Sequence, residues 1–503
     1  MSAFLKTILD RTTMYRLVLY YLLALLVVAA AVGAYGGIPY TPTAIVYSAA
    51  VLTVAAWVTN VLFARLFGAV TNLESAIITA LILALILPPV GVGDAPGSVG
   101  LILVATTAMA SKYAISFGGK HLFNPAAFAA AFSAFVLGTS ATWWVAGNIA
   151  LMPIVVLGGI AIVYKLRRFD LIGAFASAAF VTIAFTSSDP ITDLQATILH
   201  SAFFFLAFAM LTEPLTMPPT RRLRLVYGAI VGVLFAPAAH LGSFYFSPET
   251  ALLAGNLFSY FVSPKGRYIL SLVERRKLAR GIYEFGFRSD RPFSFLPGQY
   301  LEWTLSGVPF DSRGNRRYFT IASAPHEDIM RLGMRIPDTP SAFKEALASL
   351  PRGGHIHVAS LAGDFTPPDD PARKLAFIAG GIGVTPFASM VRHFIGSGES
   401  RDMVLLYASR TAEEIAYRDI FALAAKQGLR TVYALTSPDA RAFPGARVGT
   451  IDATFISREI PDYRERTFYL SGPPGMVSGM KRALLDLGVS RFSIKTDYFP
   501  GLA

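Results

Sequence analysis

Lys374-Leu375-Ala376-Phe377-Ile378-Ala379-Gly380-Gly381-Ile382-Gly383-Val384-Thr385-Pro386 reads as a buried strand that passes through three glycines into a helix. The apolar run is short and unbroken, as a parallel strand covered on both faces requires. Glycines at such a turn let the backbone approach a nucleotide pyrophosphate, and the start of the following helix adds a favourable dipole. Gly380, Gly381, Gly383, Thr385 and Pro386 are therefore candidate nucleotide contacts. One glycine-rich turn is a weak signal, so its neighbours must carry the argument.

Downstream the pattern recurs. MVLLYAS (403–409), RTVYAL (430–435) and TFYLSG (467–472) are buried-type strands, each followed by a turn or helix signal. Residues 371–503 thus read as an α/β domain with a parallel sheet that binds NAD(P). Ser409 and Arg410 end the second strand, where adenosine-ribose contacts fall. Arg410 suits a 2′-phosphate, whereas Glu413 and Glu414 suit NADH, and the sequence leaves the two open. Upstream, YILSLVERR (268–276), GIYEFGFRS (281–289), QYLEWTL (299–305) and HIHVASL (355–361) are short alternating strands broken by Gly and Pro. They predict a small antiparallel β-barrel over 265–370.

At Ser263-Pro264-Lys265-Gly266 the composition changes. Residues 1–264 hold twelve Lys or Arg and eight acids, whereas the remainder holds 32 and 24. The whole chain is 54% hydrophobic and 15% charged, too apolar for an ordinary soluble protein. Ten apolar segments between residues 15 and 262 predict an α-helical polytopic membrane domain of about ten spans. Under that count Lys6, Arg11, Arg16, Arg65, Lys112, Lys120, Lys165, Arg167, Arg168, Arg221, Arg222 and Arg224 share one face, and Asp94, Asp189, Asp193 and Glu249 lie opposite. The bias predicts a bacterial cytoplasmic membrane protein with both termini in the cytoplasm.

Three places in this half stand out. In Lys120-His121-Leu122-Phe123-Asn124-Pro125, Asn124 suits a helix N-cap and Pro125 the first helical position, a start that suits an anionic group or simply close packing. Asp193, Thr197, His200 and Ser201 make one polar face of a predicted span, and an intramembrane His200 is a functional candidate. Thr212-Glu213-Pro214-Leu215-Thr216-Met217-Pro218-Pro219 forces extended backbone, which either lines a cavity or forms a plain loop. The net charge of +12 forms no basic stripe interleaved with aromatics, which argues against nucleic acid. Without cysteine the chain supplies no thiolate for an iron–sulfur cluster. No metal site is read from the sequence.

KYAISFGGKHLFNPAAFA, followed by LTEPLTMPPTRR, resembles the family of the B subunit of Na+-translocating NADH:quinone oxidoreductase and the D subunit of the Rnf complex, over residues 1 to about 262. That resemblance implies a flavin-bearing membrane subunit, with FMN esterified to a threonine in several relatives. The nearest counterpart of their Asp-x-x-Ser-Gly-Ala-Thr motif is Asp193-Leu194-Gln195-Ala196-Thr197, two residues shorter and without Ser-Gly. It points to Thr197, with Thr192 a weaker alternative; noncovalent flavin or quinone alone is the other outcome.

Residues 266–503 resemble the ferredoxin-NADP reductase superfamily through Arg317-Tyr318-Phe319-Thr320, Pro340-Ser341-Ala342-Phe343, the glycine turn at 380–386, and Ser471-Gly472-Pro473-Pro474-Gly475-Met476. The likeness implies that Arg317 meets the FAD pyrophosphate, Phe319 packs on the flavin, and the Thr320 hydroxyl points at its reactive nitrogen. It implies that Ser341 opens a helix against the pyrophosphate. Ser471, in place of the usual cysteine, would lie beside the nicotinamide with Gly472, Pro473, Pro474 and Met476 around it. Tyr498 and Phe499 resemble an aromatic tail that covers the flavin, and Phe499 is the position carried forward.

Together these readings predict a membrane-bound oxidoreductase. Electrons pass from cytoplasmic NAD(P)H through FAD to an FMN, other flavin or quinone site in the membrane domain, or onward to an electron-transfer subunit or extracytoplasmic acceptor. Two alternatives are a haem-bearing transmembrane reductase of the ferric reductase type, for which only His121, His200 and His240 are available, and a transporter with a redox-sensing nucleotide domain.

Overall fold

A computed structural model describes residues 12–68, 73–117, 120–264, 266, 268–305, 316–437 and 443–497. The chain divides between Gly266 and Arg267 into two compact units.

The amino-terminal unit is helical: α1 Met14–Ala34, α2 Pro42–Leu66, α3 Leu73–Ile86, α4 Ala95–Ala114, α5 Pro125–Val136, α6 Met152–Leu166, α7 Phe169–Thr186, α8 Pro190–His200, α9 Phe203–Met210, α10 Arg221–Phe235 and α11 Pro248–Val262. Two short hairpins interrupt them, β1 Ser116–Phe117 with β2 Lys120–His121, and β3 His240–Leu241 with β4 Phe244–Tyr245. Helix starts follow local chemistry. Thr41 caps α2 and Asp94 caps α4, each followed by a proline near the first turn, and Ser247 and Thr250 form a reciprocal capping box on α11.

About ten spans were expected, and the structure corrects that number. Among the described residues α1, α2 and α7 are long and apolar enough to cross a membrane, and α8 with α9 makes a fourth if that pair, bent by 62°, is one span. At 1.5 Å per residue, the 12 to 15 residues of α5, α6, α10 and α11 fall short of a bilayer core of roughly 30 Å. Apolar windows in the sequence run on through breaks: the segment at 142–164 starts in a turn and becomes helix only at Met152, and the one at 224–245 ends in the β3–β4 hairpin. Small polar breaks hardly lower hydropathy, so composition joins what the backbone separates.

Polarity in this unit is partly inverted. Along α2, Ser48 and Asn60 are buried while Val54, Trp57 and Leu62 are exposed. Ser48 meets the Val90 amide at 2.7 Å, and Asn60 accepts from the Tyr113 hydroxyl at 2.8 Å. Where α10 crosses α7, a Cβ added at Gly232 would lie 2.3 Å from the Phe175 carbonyl oxygen, so the two backbones approach as only glycine permits.

The carboxy-terminal unit holds two six-stranded sheets. The first contains β5 Tyr268–Ala279, β6 Ile282–Ser289, β7 Tyr300–Thr304, β8 Arg316–Thr320, β9 Met330–Arg335 and β10 His355–Ala362, antiparallel in the order β8-β7-β10-β5-β6-β9, with α12 Ala342–Ser349 before the last strand. No ladder joins the end strands β8 and β9 among the described residues; the Ala322 amide donates to the Arg331 carbonyl at 2.8 Å and the Arg331 amide to the Ser323 hydroxyl at 3.1 Å across that gap. The sheet is the half-barrel form of the expected antiparallel barrel. Phe285, Phe287, Leu301, Trp303, Leu332 and Phe343 fill its core.

The second sheet is wholly parallel. Its strands are β11 Leu375–Gly380, β12 Met403–Ser409, β13 Leu429–Leu435, β14 Ala446–Val448, β15 Thr467–Ser471 and β16 Ile494–Thr496, in the order β14-β13-β12-β11-β15-β16. Helices α13 Thr385–Ser397, α14 Arg418–Leu423, α15 Ala453–Glu459 and α16 Pro474–Asp486 connect them. Alternate residues of β11 enter two cores, Phe377 and Ala379 on one side and Ala376 and Ile378 on the other. That two-sided burial is why the strand reads as an uninterrupted apolar run.

Candidate functional site

The order of the parallel sheet places the carboxyl ends of β11 and β15 side by side, with Ala379 paired to Ser471. Beyond β11 the chain turns through Gly381, at φ +54°, into α13, whose first residues Thr385 and Pro386 are buried. A Cβ at Gly380 would lie 2.4 Å from Met476 Sδ and 2.9 Å from Pro473 Cδ, and one at Gly383 would lie 2.6 Å from Gly472 Cα. The two glycine motifs, more than eighty residues apart, therefore fit against each other. Gly381 meets nothing on its Cβ side, leaving the turn open at that point. Thr385 donates back to the Ile382 carbonyl at 3.2 Å and fixes the turn. Pro474 is the first residue of α16, whose N-cap position is Pro473, without a side-chain cap bond. Ser471 is buried, and its hydroxyl donates to Asp497 Oδ2 at 3.1 Å. Ser409, at the end of β12, donates to the Thr411 carbonyl at 3.1 Å, and Arg410 follows it on the exposed side.

On the antiparallel sheet, β8 carries Arg317, Phe319 and Thr320. Arg317 is buried with its guanidinium 5.4 Å from the centre of the Phe343 ring, and Phe319 lies 5.9 Å from the same ring. Alternation along a strand puts both on one face, and Phe343 is in the first turn of α12. Ser341 is the N-cap of α12, yet its side chain makes no cap bond. Thr320 is buried and paired with Tyr300 on β7. A basic group beside an uncapped helix start is a fitting cradle for a diphosphate.

Ser389 of α13 was not singled out in the sequence. It donates to the Ser323 carbonyl at 2.7 Å and accepts from the Gly298 amide at 3.3 Å, tying both flavin-side loops to the nucleotide helix. A serine inside an apolar helix gives no such signal.

In the amino-terminal unit two of the expected motifs converge. Asn124 caps α5 through the Ala127 amide at 3.0 Å and donates from Nδ2 to Glu213 Oε2 at 2.8 Å. Thr216 donates to that oxygen at 3.0 Å, and His121 Nε2 stands 3.5 Å from Glu213 Oε1. Asn256 accepts from the Asn124 amide at 2.8 Å and donates to the Tyr227 hydroxyl at 3.1 Å. Asn256 and Tyr227 lie on ordinary helical faces and were missed. Thr197 and His200 do not join this cluster. Thr197 is buried in α8, whereas His200 is exposed at its last turn. Thr192, in the first turn of α8, is exposed. Phe499 lies outside the described residues. Among the described residues no cluster of three or more His, Cys, Asp or Glu side chains could hold a metal ion.

Residues 377–482 match the oxidoreductase NAD-binding domain family. The chain is 27% identical over 219 residues to a flavohemoprotein of Halalkalibacterium halodurans, covering 41% of this chain and 52% of that protein. It is 30% identical over 227 residues to the stachydrine N-demethylase reductase subunit of Rhizobium meliloti, covering 44% and 63%. A solved structure, the flavohem-like FAD/NAD-binding domain of nitric oxide dioxygenase from Vibrio cholerae, is 20% identical with a TM-score of 0.42, over 46% of this chain and 98% of that one. The chain spans between half and two thirds of the length of these two relatives. The carboxy-terminal half holds a ferredoxin-NADP reductase-like NAD-binding module. It is an oxidoreductase module that binds a nicotinamide nucleotide.

Proposed function

We propose that the whole chain is a membrane-bound NAD(P)H-oxidising flavoprotein whose electrons leave toward a flavin or quinone site in the amino-terminal unit. The observation that carries the reading is the fit of the Gly380–Gly383 turn against Gly472 and Met476, which sets Ser471 and an open glycine turn at one edge of the sheet. FAD, when bound, supplies the conversion of a hydride's two electrons into single-electron steps. Arg317 and the start of α12 would hold its diphosphate, and Phe319 and Thr320 lie beside them on β8. Ser471, oriented by Asp497, would position the nicotinamide.

A membrane location is supported by α1, α2 and α7, and by the exposed apolar and buried polar residues of α2. With that location go the cytoplasmic orientation of both termini, the lipid bilayer as partner, and a quinone or flavoprotein subunit as electron acceptor. The Glu213 cluster supports a site in the helical unit, because a half-buried carboxylate held by Asn124, Thr216 and His121 among apolar helices is costly unless it serves structure or chemistry. The three-part division at 264 and 370 belongs to the same reading: the antiparallel sheet has a core of its own, and Ile282, Ala322 and Phe365 join it to the core of the parallel sheet.

The test uses the purified full chain in detergent with its flavin. NADH or NADPH is expected to bleach the flavin absorption under anaerobic conditions, and a quinone is expected to restore it. Bleaching by neither nucleotide sinks the proposal. Flavin retained in an acid-precipitated pellet and lost in Thr197→Ala would place a covalent flavin on α8.

A further inference from the structure

β11 and β12 run in parallel with Gly380 opposite Ala408, so the segment just past Ser409 lies beside the glycine turn. In sheets of this kind the end of the neighbouring strand meets the adenosine ribose, where a carboxylate accepts from a free 2′-hydroxyl and a guanidinium binds a 2′-phosphate. Here both kinds of group are present, and they are bound to each other.

Arg410 donates through Nη2 to Glu414 Oε1 at 2.7 Å and through Nε to Glu414 Oε2 at 3.2 Å, a two-point contact. A second guanidinium, from Arg335 at the end of β9, reaches Glu414 Oε1 at 3.4 Å. Two arginines on different elements thus converge on one carboxylate, an arrangement suited to a phosphate oxyanion. The carboxylate is also the better buried partner: its side chain is 12% exposed, against 64% for Arg410 and 38% for Arg335. Its segment is fixed as well, because the Arg280 amide donates to the Glu413 carbonyl at 2.8 Å and ties the short helical turn Ala412–Glu414 to the β5–β6 connection. Glu413 adds a second negative charge next in sequence.

We infer that the Glu414 carboxylate occupies the place of a nucleotide 2′-phosphate and makes this chain select NADH over NADPH. The inference rests on the proposed nucleotide oxidation and names its substrate. A 2′-phosphate carries close to two negative charges at neutral pH. It would have to separate Arg410 from Glu414 and then sit against that carboxylate and Glu413. NADH brings a neutral 2′-hydroxyl to the same place and leaves the ion pairs whole. Glu414→Gln keeps the shape, removes the charge and frees two guanidinium groups for a phosphate.

The experiment uses the purified full chain, with kcat/KM for NADH and NADPH measured with ferricyanide as acceptor. The wild type is expected to favour NADH at least tenfold. Glu414→Gln is expected to shrink that ratio at least tenfold, mainly through a lower KM for NADPH, and Arg410→Gln added to it is expected to cancel most of the gain. Calorimetry supplies a readout independent of turnover: the affinity for adenosine 2′,5′-bisphosphate relative to AMP should rise at least tenfold in Glu414→Gln. A wild type that favours NADPH, or a Glu414→Gln ratio within twofold of wild type in both assays, overturns the inference. If neither nucleotide is oxidised, the proposed function falls, while the calorimetric comparison still decides the role of Glu414.

Discussion

In the amino-terminal unit several polar groups gather around the Glu213 carboxylate while Ser48, Asn60 and Glu249 each meet a partner of their own, whereas the carboxy-terminal unit is fastened by clusters of ion pairs. Glu284 of β6 meets Arg331 and Arg392 at 3.2 Å each, and both arginines also reach Glu327. Arg466 joins Asp402 and Asp462, and Glu459 collects Arg430, Arg447 and Arg458. Glu284, Arg466 and Glu459 are themselves buried, and each is kept by pairing with two or more opposite charges. Among apolar helices an isolated polar group is costly, so each one that is kept is satisfied by a specific partner.

The largest test of this contrast is Gly383→Val. The added side chain has to displace the Gly472 backbone, 2.6 Å from an ideal Cβ, and nucleotide-driven flavin reduction should fall at least a hundredfold. Stopped-flow absorbance measures it, and reduction within tenfold of wild type would break the assignment of that turn. Glu213→Ala tests the other unit. It strips one shared partner from Asn124, Thr216 and His121, at a cost of about 2 kcal/mol for lost hydrogen bonds to a charged group. The expected result is a lower thermal midpoint with ferricyanide reduction by nucleotide unchanged, and an unchanged midpoint would mean that the cluster holds nothing together.

Ser471→Ala should have a smaller effect. Losing the bond to Asp497 is worth about 1 kcal/mol, or about fivefold in kcat, with KM less affected. Asp497→Asn should move the rate in the same direction, and a Ser471→Ala rate equal to wild type would remove the serine from the reaction.

The smallest effect concerns pH. Hydrogen bonds from Arg466, and then from Lys374, hold the Asp462 carboxyl down to about 2 against the upward push of burial. Because the folded value lies below the unfolded one of about 3.9, the stabilisation is complete above about pH 4 and is lost as pH falls through about 2. Thermal melts between these limits should show a shallower loss for Asp462→Asn than for wild type.

Legibility followed locality. The strands around KLAFIAGG, MVLLYAS, RTVYAL and TFYLSG were evident because burial on both faces leaves continuous apolar runs. Asn124 and Pro125 signalled the start of α5, because capping acts within one turn. The span count was not legible: hydropathy sums over a window and ignores the breaks at Asn148 and Ser201. Ser389, Tyr227 and Asn256 were silent, since each acquires its role from a partner tens of residues away or more.

The sequence by itself determined the order of the parts, an apolar helical half followed by an antiparallel and then a parallel sheet, and the residue types available at each turn. These depend on periodicity, glycine and caps, which act over a few residues. Only the tertiary structure decided that Gly383 lies against Gly472, that Glu213 collects its polar neighbours, and that Arg335 and Arg410 share Glu414. Those contacts join distant segments, and their energies exist only once the core has brought the segments within hydrogen-bond reach.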